Sequence, residues 1–323
     1  MDDIRQLKRR RRLSRTFELT ADRQMEVKGF RSYRTLESLR RRFARGLERQ
    51  FLSYYFGPPP LWRQFLRTMG GRRTLPDFCI IGPPKAGTSD LAVNILMHPN
   101  VLMPMSKELW DPDPETWRLA YPTEREKRRH AQRHGVALSP YLTPCLHRLD
   151  YCHMLAQAQP NAKVVITLRK PAERVFSQWK WEMLLSGKTR VCALPFLSTF
   201  ASYVDMSLQL YPEYPMYTAF NFNPLQTSIY WRAVTIWIER FGAQNVLVLD
   251  VGDYFQDPDS TLRRIQEFVG LPYVRIPRSG TKVNENPIRS PPADEHSMSR
   301  LREFFRPANE KLWEVIGQRW NWE

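Results

Sequence analysis

A lysine, two hydroxyl side chains and two glycines fall within eight residues of this 323-residue chain, in the stretch GPPKAGTS at residues 82–89. A loop that leads into a helix presents unpaired backbone N–H groups and a partial positive charge to an anion. Lys85 would add a full positive charge, and Gly87 would let the backbone approach the anion closely. An ordinary turn capped by Thr88 or Ser89 explains the glycine and the hydroxyls, but not the lysine. The stretch therefore predicts a phosphate-binding loop.

The position of the lysine separates this loop from the usual loop of nucleoside triphosphatases. In that pattern the lysine directly follows the second glycine. Here Thr88 follows Gly87, and Lys85 comes two places before Gly87. Asp250, at the end of the run VLVLD, could imitate a magnesium-binding carboxylate, but buried strands often end in Asp and no other feature indicates Mg²⁺. A Mg²⁺-dependent P-loop kinase is therefore a second hypothesis, which the lysine position disfavours.

Strand and helix patterns alternate on both sides of the loop. Apolar runs predict buried strands at 78–81, 164–168 and 245–251. Apolar residues spaced by three or four predict helices from Thr88, after 168, at 226–241, at 260–269 and from Glu295. This alternation predicts an α/β fold with a mostly parallel sheet flanked by helices. Residues 108–160 and 187–225 have little regular pattern, and we interpret them as insertions that shape a substrate cleft.

A second candidate anion site follows the strand predicted at 164–168. Arg169 stands at the end of that strand, and Ser177 lies eight residues further on in the next helix. An arginine and a hydroxyl in this arrangement can converge on one phosphate. Arg174, between them, fits a surface position on the helix as well as it fits a functional one.

These segments resemble those of the 3′-phosphoadenosine 5′-phosphosulfate (PAPS)-dependent sulfotransferases. PKAGTSDL (84–91) is similar to the family's 5′-phosphosulfate loop, and LRKPAERVFS (168–177) is similar to its 3′-phosphate segment. His98-Pro99 with Lys107-Glu108 resembles the carbohydrate branch of the family, which acts on heparan and chondroitin chains. LREFFRPANEKL (301–312) with the final Trp-Asn-Trp resembles that branch too, and most of all its N-acetylgalactosamine 4-sulfate 6-O-sulfotransferase type. The resemblance covers about residues 76–322.

The resemblance implies a P-loop-like fold, and an enzyme that uses PAPS as donor cosubstrate and no metal. It implies that Arg169 and Ser177 bind the 3′-phosphate. It also suggests that a basic loop closes over the nucleotide near Thr281 and Lys282, although a solvated lysine explains that position equally well. The residues implied to hold the 5′-phosphosulfate end are Lys85, Ala86, Gly87, Thr88 and Ser89.

Sulfuryl transfer needs charge neutralisation at the leaving oxygen and a base for the acceptor hydroxyl. Lys85 is placed to neutralise the bridging oxygen as the S–O bond breaks. Glu108 matches the glutamate that the heparan-type enzymes use as general base, and a surface glutamate paired with Lys107 is the alternative. His98 is a competing base, although a packed ring or a helix cap fits its position better. The catalytic residues predicted are thus Lys85 and Glu108.

The acceptor implied by the resemblance is a hydroxyl of a carbohydrate, similar to a glycosaminoglycan. A small-molecule alcohol or amine is the alternative acceptor, and a non-catalytic polyanion-binding protein is a further hypothesis from another class. No metal site is predicted, because Cys145, His147, Cys152 and His153 are spaced too closely on one segment to face a single ion. Whether Cys145 and Cys152 form a disulfide stays open.

The positive charge is concentrated at the N-terminus. The chain carries a net charge of +16, yet residues 1–75 hold 20 Lys and Arg against 7 Asp and Glu. The sequence therefore predicts a basic, helical arm at 1–74 and a nearly neutral sulfotransferase domain at 75–323. Such an arm can contact an anionic membrane surface or a polyanion, whereas nucleic-acid binding by the domain is not expected. The oligomeric state stays open.

Hydropathy bears on the compartment. The chain has 42% hydrophobic residues, and no stretch of it reads as a membrane span. The basic run at 8–12 is followed by LSRT rather than by the apolar stretch of a secretory signal. We therefore expect a soluble protein, preferably cytoplasmic, with the Golgi lumen fitting only a truncated form of a longer chain.

Overall fold

The computed structural model describes residues 61–109, 117–189, 195–212, 223–276, 290 and 292–322, together with the backbone of 13–19, 25–32 and 54–56. Within these ranges only the backbone is described at 61, 63, 64, 106, 184–189 and 195. No helix of this described part is long and apolar enough to cross a bilayer.

Eight strands are present in the described residues, and four of them form the central sheet. In chain order they are β1 (Leu13–Leu19), β2 (Met25–Ser32), β3 (Tyr54–Phe56), β4 (Phe78–Ile81), β5 (Ser106–Glu108), β6 (Pro140–Tyr141), β7 (Lys163–Leu168) and β8 (Val246–Asp250). The central sheet has the order β6-β4-β7-β8, and every neighbouring pair is parallel. This confirms the predicted α/β fold with a parallel sheet.

Ten α-helices are present in the described residues. They are α1 (Leu61–Thr68), α2 (Thr88–Leu96), α3 (Glu124–His134), α4 (Leu149–Ala158), α5 (Pro171–Thr189), α6 (Phe200–Leu210), α7 (Trp231–Phe241), α8 (Val251–Gln256), α9 (Pro258–Val269) and α10 (Glu295–Ile316). Three short 3-10 helices lie at Pro195–Leu197, Gln226–Ser228 and Ala243–Asn245. Asp257 caps α9 and Asp294 caps α10, each with its side chain accepting from a backbone N–H of the first turn.

Both faces of the central sheet are buried. Along β4, Cys79 and Ile81 face one apolar cluster, whereas Phe78 and Ile80 face the other. The first cluster includes Trp237 of α7, and the second includes residues of α2 and α9. Such two-sided burial explains why the strands read as continuous apolar runs rather than as alternating patterns. The carboxyl ends of β4 and β7 lead directly to the two segments predicted to bind phosphate.

Several sequence boundaries were wrong. The region 108–160 was expected to be irregular, yet it contains β6, α3 and α4. The helix α3 escaped detection because none of its residues is buried, so that it shows no apolar periodicity. The region 187–225 contains α6, and the helix expected at 226–241 begins only at Trp231, after a 3-10 turn. The strand expected at 245–251 ends at Asp250, since Val251 starts α8.

The helical expectation for the N-terminal arm is also wrong where its backbone is described before residue 61. β1 and β2 pair as an antiparallel ribbon, and β3 pairs in parallel with β5. Polar or charged residues alternate with Phe17 and Leu19 at the end of β1 and with Met25 and Val27 at the start of β2, a period of two that favours strands. Among the described residues of the arm, α1 follows the helical expectation. The boundary between residues 74 and 75 stays a prediction.

The turn that follows β6 encloses an imidazole beside the phosphate loop. Leu146 N donates to Gly82 O, which joins this turn to the loop. His147 Nε2 lies 3.3 Å from Ile229 O and must carry the proton toward that carbonyl. Its Nδ1 is enclosed and has no hydrogen-bond partner, although the residue as a whole keeps some exposed surface. Burial, as the largest cause, and the charge of Arg174 lower the pKa of His147 to about 4, although the hydrogen bond to Ile229 O opposes the shift.

This depressed pKa predicts a loss of stability in mild acid. The unfolded chain takes up a proton on His147 near pH 6.5, whereas the folded chain does so only near pH 4. The stabilisation is therefore complete above pH 6.5 and is lost as the pH falls from 6.5 to 4. Between pH 7 and 5 the native protein should lose at most about 2 kcal/mol of unfolding free energy more than His147→Gln does. Urea unfolding at both pH values measures the difference.

His153→Gln is the matched control, because His153 is exposed on α4. This variant should keep the acid sensitivity of the native protein. Equal acid sensitivity of His147→Gln and the native protein would contradict the assignment.

Candidate active site

The loop at residues 82–89 connects β4 to α2, as predicted. Gly87 is the N-cap of α2 with φ 74°, and no side chain caps the helix. The alternative of an ordinary turn capped by Thr88 or Ser89 is therefore not observed, since both residues belong to the first turn of α2. A Cβ on Gly87 would meet Val251 Cγ2 at 2.3 Å, and a Cβ on Gly82 would meet Thr167 O at 2.5 Å. Only glycine fits these two positions, and the uncapped helix end can receive an anion.

The backbone donors of the loop are not equivalent. Ala86 is buried, and its N–H donates to Pro83 O at 3.3 Å, which closes the turn. Thr88 is buried and Ser89 half-buried at the start of α2. The N–H of Ala86, one of the five loop residues predicted to bind the donor, is thus engaged within the turn.

Lys85 lies in an environment that penalises its charge. Among the described non-glycine residues, Lys85 has a positive φ, of 73°. Such strained backbone conformations cluster at functional sites. Its Nζ lies 3.9 Å from the ring centroid of Trp181 on α5. Burial, as the largest cause, and the nearby charges of Arg169, Arg174 and Lys180 together lower the pKa of Lys85 to about 8. Four cations therefore share one small region, which a bound anion would stabilise.

Arg169 and Ser177 lie on the segment that follows β7. Arg169 stands two residues before α5, and its guanidinium lies 3.3 Å from Glu173 Oε2. The backbone carbonyl of Arg169 accepts a hydrogen bond from Tyr230 OH at 2.9 Å. Ser177 lies in the second turn of α5 and is half-buried. Their roles toward a 3′-phosphate remain a prediction.

Arg174 is a buried structural link, not a surface residue of α5. Its guanidinium donates to four oxygens at 2.6–3.0 Å. These acceptors are Pro84 O, Pro224 O, Thr227 Oγ1 and Ser228 Oγ. The side chain therefore fixes the phosphate loop to α5 and to the 223–228 segment. Arg174, Gln178 and Glu182 form a buried polar row at i, i+4 and i+8, next to the buried apolar row of Val175, Trp179 and Met183.

Glu108 is connected to the phosphate loop through a buried lysine. Lys107 Nζ lies 2.9 Å from Glu108 Oε1 and donates to Ser89 Oγ at 3.1 Å. The side chain of Lys107 is 0% exposed and that of Glu108 13% exposed. Burial lowers the pKa of Lys107, whereas the charge of Glu108 raises it. The Lys107–Glu108 pair thus exists, but it belongs to the interior beside the loop and not to the surface.

His98 is held by two structural hydrogen bonds. Its Nδ1 accepts from Asn100 N at 3.0 Å, and its Nε2 lies 2.9 Å from Pro272 O. Both ring nitrogens are therefore occupied, and the ring is 1% exposed. This geometry agrees with the packed-ring interpretation of the His98-Pro99 motif.

The carboxylate of Asp250 is also occupied. Its Oδ1 accepts from Gly252 N at 2.8 Å and caps α8, and its Oδ2 accepts from Trp322 Nε1 at 2.7 Å. Burial raises the pKa of Asp250. The residue therefore connects the C-terminal segment to β8. These two hydrogen bonds explain why an Asp that resembles a magnesium-binding carboxylate ends this strand.

Two further groups of predicted residues are the cysteines and the pair Thr281 and Lys282. Cys145 and Cys152 are buried free thiols, as is Cys79. In the described ranges no cluster of three or more His, Cys, Asp or Glu side chains is placed to hold a metal. Thr281 and Lys282 lie outside the described residues.

The comparison with known proteins identifies the family of this chain. The sulfotransferase domain family matches residues 75–286, more than half of the chain, and the chain belongs to that family. Human carbohydrate sulfotransferase 15 is 24% identical in an alignment that covers 76% of this chain. Mouse heparan sulfate glucosamine 3-O-sulfotransferase 5 is 22% identical, over 77% of this chain and 74% of its own length. The prediction of a sulfotransferase is confirmed.

A solved structure supports the fold. A sulfotransferase from Alicyclobacillus acidocaldarius superposes with a TM-score of 0.54 at 22% identity, over 77% of this chain and 99% of its own. The chain spans only 54% of the length of human carbohydrate sulfotransferase 15. The similarity therefore extends over the domain and not over the whole of that relative.

The role of Arg174 yields a stability prediction. Arg174→Lys keeps the charge but cannot reach four acceptors with a planar fork. We expect the unfolding free energy to fall by about 2–4 kcal/mol, because buried oxygens lose their donors. Denaturant unfolding measures this loss.

The control is Arg263→Lys, since Arg263 is exposed and pairs with Glu267 at 2.9 Å on α9. This change should stay within about 0.5 kcal/mol. Identical unfolding midpoints for the two variants would show that the four hydrogen bonds of Arg174 do not support the loop.

Proposed function

We propose that this chain transfers the sulfuryl group of PAPS to a hydroxyl of a carbohydrate acceptor, similar to a glycosaminoglycan. The observation that carries the proposal is a set of hydrogen bonds that connects the phosphate loop to the proposed base Glu108. Lys85 and the uncapped end of α2 form an anion site, and Lys107 connects its Ser89 to Glu108. The named relatives, a carbohydrate sulfotransferase and a heparan sulfate sulfotransferase, support a carbohydrate acceptor.

The reaction assigns one role to each end of this arrangement. Glu108 takes the proton of the acceptor hydroxyl, and the acceptor oxygen forms a bond to sulfur. The bond between sulfur and the bridging phosphate oxygen breaks, and its electron pair leaves with the nucleotide. Lys85 neutralises the charge that grows on this leaving oxygen. The products are the sulfated acceptor and 3′-phosphoadenosine 5′-phosphate.

The nucleotide would be held at both of its phosphate groups. Lys85, Gly87, Thr88 and Ser89, with the turn at Ala86, surround the 5′ end in this proposal. Arg169 and Ser177 take the 3′-phosphate, and Thr281 and Lys282 close over the nucleotide. A small alcohol or amine as acceptor would use the same donor site, so acceptor identity rests on the relatives and on Glu108 rather than on the loop.

The proposed base gives a kinetic prediction. Glu108→Gln keeps the shape of the side chain but cannot accept the proton, so turnover should fall by about 10²–10⁴. Binding of 3′-phosphoadenosine 5′-phosphate should change by less than about fivefold, because Glu108 does not touch the donor in this mechanism. Transfer from sulfur-labelled PAPS to a panel of glycans, alcohols and amines measures turnover and identifies the acceptor.

Two further variants make the test decisive. His98→Asn should retain most of the turnover per folded molecule, and Lys85→Ala should lose turnover and donor affinity together. An active Glu108→Gln beside an inactive His98→Asn would transfer the role of base to the histidine. If no acceptor is sulfated, although the nucleotide binds, the protein is a binding module and the proposed activity is wrong.

The proposed 3′-phosphate site gives a binding prediction. Arg169→Ala removes a charge-assisted contact, which is worth about 1.5–3 kcal/mol, or about 10- to 100-fold in affinity. This loss should appear with 3′-phosphoadenosine 5′-phosphate and not with adenosine 5′-phosphate, which lacks the 3′ group. Calorimetry with and without EDTA measures both affinities and tests whether binding needs a metal.

The exposed arginine Arg232 on α7 offers the control, and Arg232→Ala should alter neither affinity. Equal losses for the two nucleotides in Arg169→Ala would place Arg169 elsewhere in the site. A strict metal requirement would favour the Mg²⁺-dependent alternative.

A further inference from the structure

Helix α1 carries a row of large apolar side chains on the protein surface. Trp62, Phe65 and Leu66 of α1 and Met69, one residue after it, are 45%, 64%, 52% and 67% exposed. Their spacing of i, i+3, i+4 and i+7 places them on one face of the helix. We call these four residues the α1 apolar row.

The opposite side of α1 is attached to the domain. The guanidinium of Arg67 donates to the backbone carbonyls of Leu119 and Tyr121. Arg67 is two positions from Phe65, about 200° around a helix, so this attachment lies across from the apolar row. The row is therefore displayed outward while the helix is fixed to the body.

This concentration of exposed apolar surface is unusual within the described residues. The other large hydrophobic side chains with high exposure are Met97, Met103, Phe255 and Tyr273, which lie on separate segments. Single exposed hydrophobic residues need no explanation, whereas a contiguous group marks an interaction surface. The α1 apolar row is such a group.

A strongly basic helix begins next to α1. None of the eleven residues of α3 is buried, and Arg125, Arg128, Arg129 and Arg133 are exposed. The segment after α1 joins the start of α3, since Glu124 N donates to Arg72 O at 2.9 Å and Arg72 Nε lies 3.2 Å from Glu124 Oε1. The outward apolar row is thus accompanied by a cluster of exposed cations.

We propose that α1 and α3 form a docking surface for an anionic lipid bilayer. The α1 apolar row enters the boundary between headgroups and acyl chains, and the α3 arginines contact the anionic headgroups. With eight residues α1 is about 12 Å long, so it lies along the interface rather than across it. A polyanionic sugar would use the arginines, but it offers no apolar phase for a tryptophan, a phenylalanine, a leucine and a methionine.

The test uses the full chain and vesicles of phosphatidylcholine with or without phosphatidylserine. The protein should sediment with the vesicles that contain phosphatidylserine, and added salt should weaken this binding. The double variant Phe65→Ser, Met69→Ser should bind these vesicles at least about tenfold more weakly. The reason is that two large apolar side chains are no longer transferred from water into the bilayer. Replacing the four exposed α3 arginines by Gln should weaken binding only where phosphatidylserine is present.

The matched control is the double variant Met103→Ser, Tyr273→Ser, which removes exposed apolar side chains far from α1 in sequence. It should bind the vesicles like the native protein, and all variants should keep the native circular dichroism spectrum. The proposal is overturned if the native chain ignores anionic vesicles, or if the control loses as much binding as the α1 variant.

Two other occupants of the surface have their own signatures. If the α1 variant loses heparin binding as strongly as vesicle binding, the surface serves a polyanion and the lipid proposal is wrong. If ultracentrifugation shows a dimer that the α1 variant abolishes, and vesicles do not compete with it, a second copy of the chain covers the row instead.

Discussion

A guanidinium withdrawn from water must find acceptors for its N–H groups, and Arg174 finds four of them around the phosphate loop. Pro84, whose carbonyl it holds, directly precedes Lys85. The hydrogen bond therefore fixes the peptide that leads into the strained conformation of Lys85. Because the other acceptors belong to residues 224–228, the same side chain also holds the segment before α7. The loop is thus supported from outside and not by its own turn alone.

Repulsion between cations is the cost of this arrangement. The charges of Arg169, Arg174 and Lys180 all lower the pKa of Lys85, in addition to its burial. An anion beside Lys85 would favour the charged form of the amine and relieve the repulsion. The Trp181 ring supplies a weaker, neutral partner in the meantime, with the Lys85 amine 3.9 Å from its centroid. The repulsion between these cations is therefore not balanced unless an anionic ligand is bound. The proposed donor would be such a ligand.

The sequence predicted what depends on local pattern and missed what depends on tertiary contacts. Buried parallel strands and the loop between β4 and α2 could be recognised, because apolar runs and a lysine among glycines are local signals. Helix α3 could not, since it has no buried residue and therefore no apolar periodicity. The sequence left Arg174 open between a surface and a functional position because its four acceptors lie 50 or more positions away in the chain. The i, i+4, i+8 row of Arg174, Gln178 and Glu182 was the available signal.

In the Lys107-Glu108 motif, the position of the lysine between its two partners is more important than its charge. The contribution of Lys107 is positional, because the ammonium holds Glu108 Oε1 at 2.9 Å and Ser89 Oγ at 3.1 Å. An in-line transfer requires the proposed base and the donor loop to keep a fixed separation, and small displacements are costly. A buried lysine with both groups in its first contacts supplies that separation, which an exposed pair of long side chains would not.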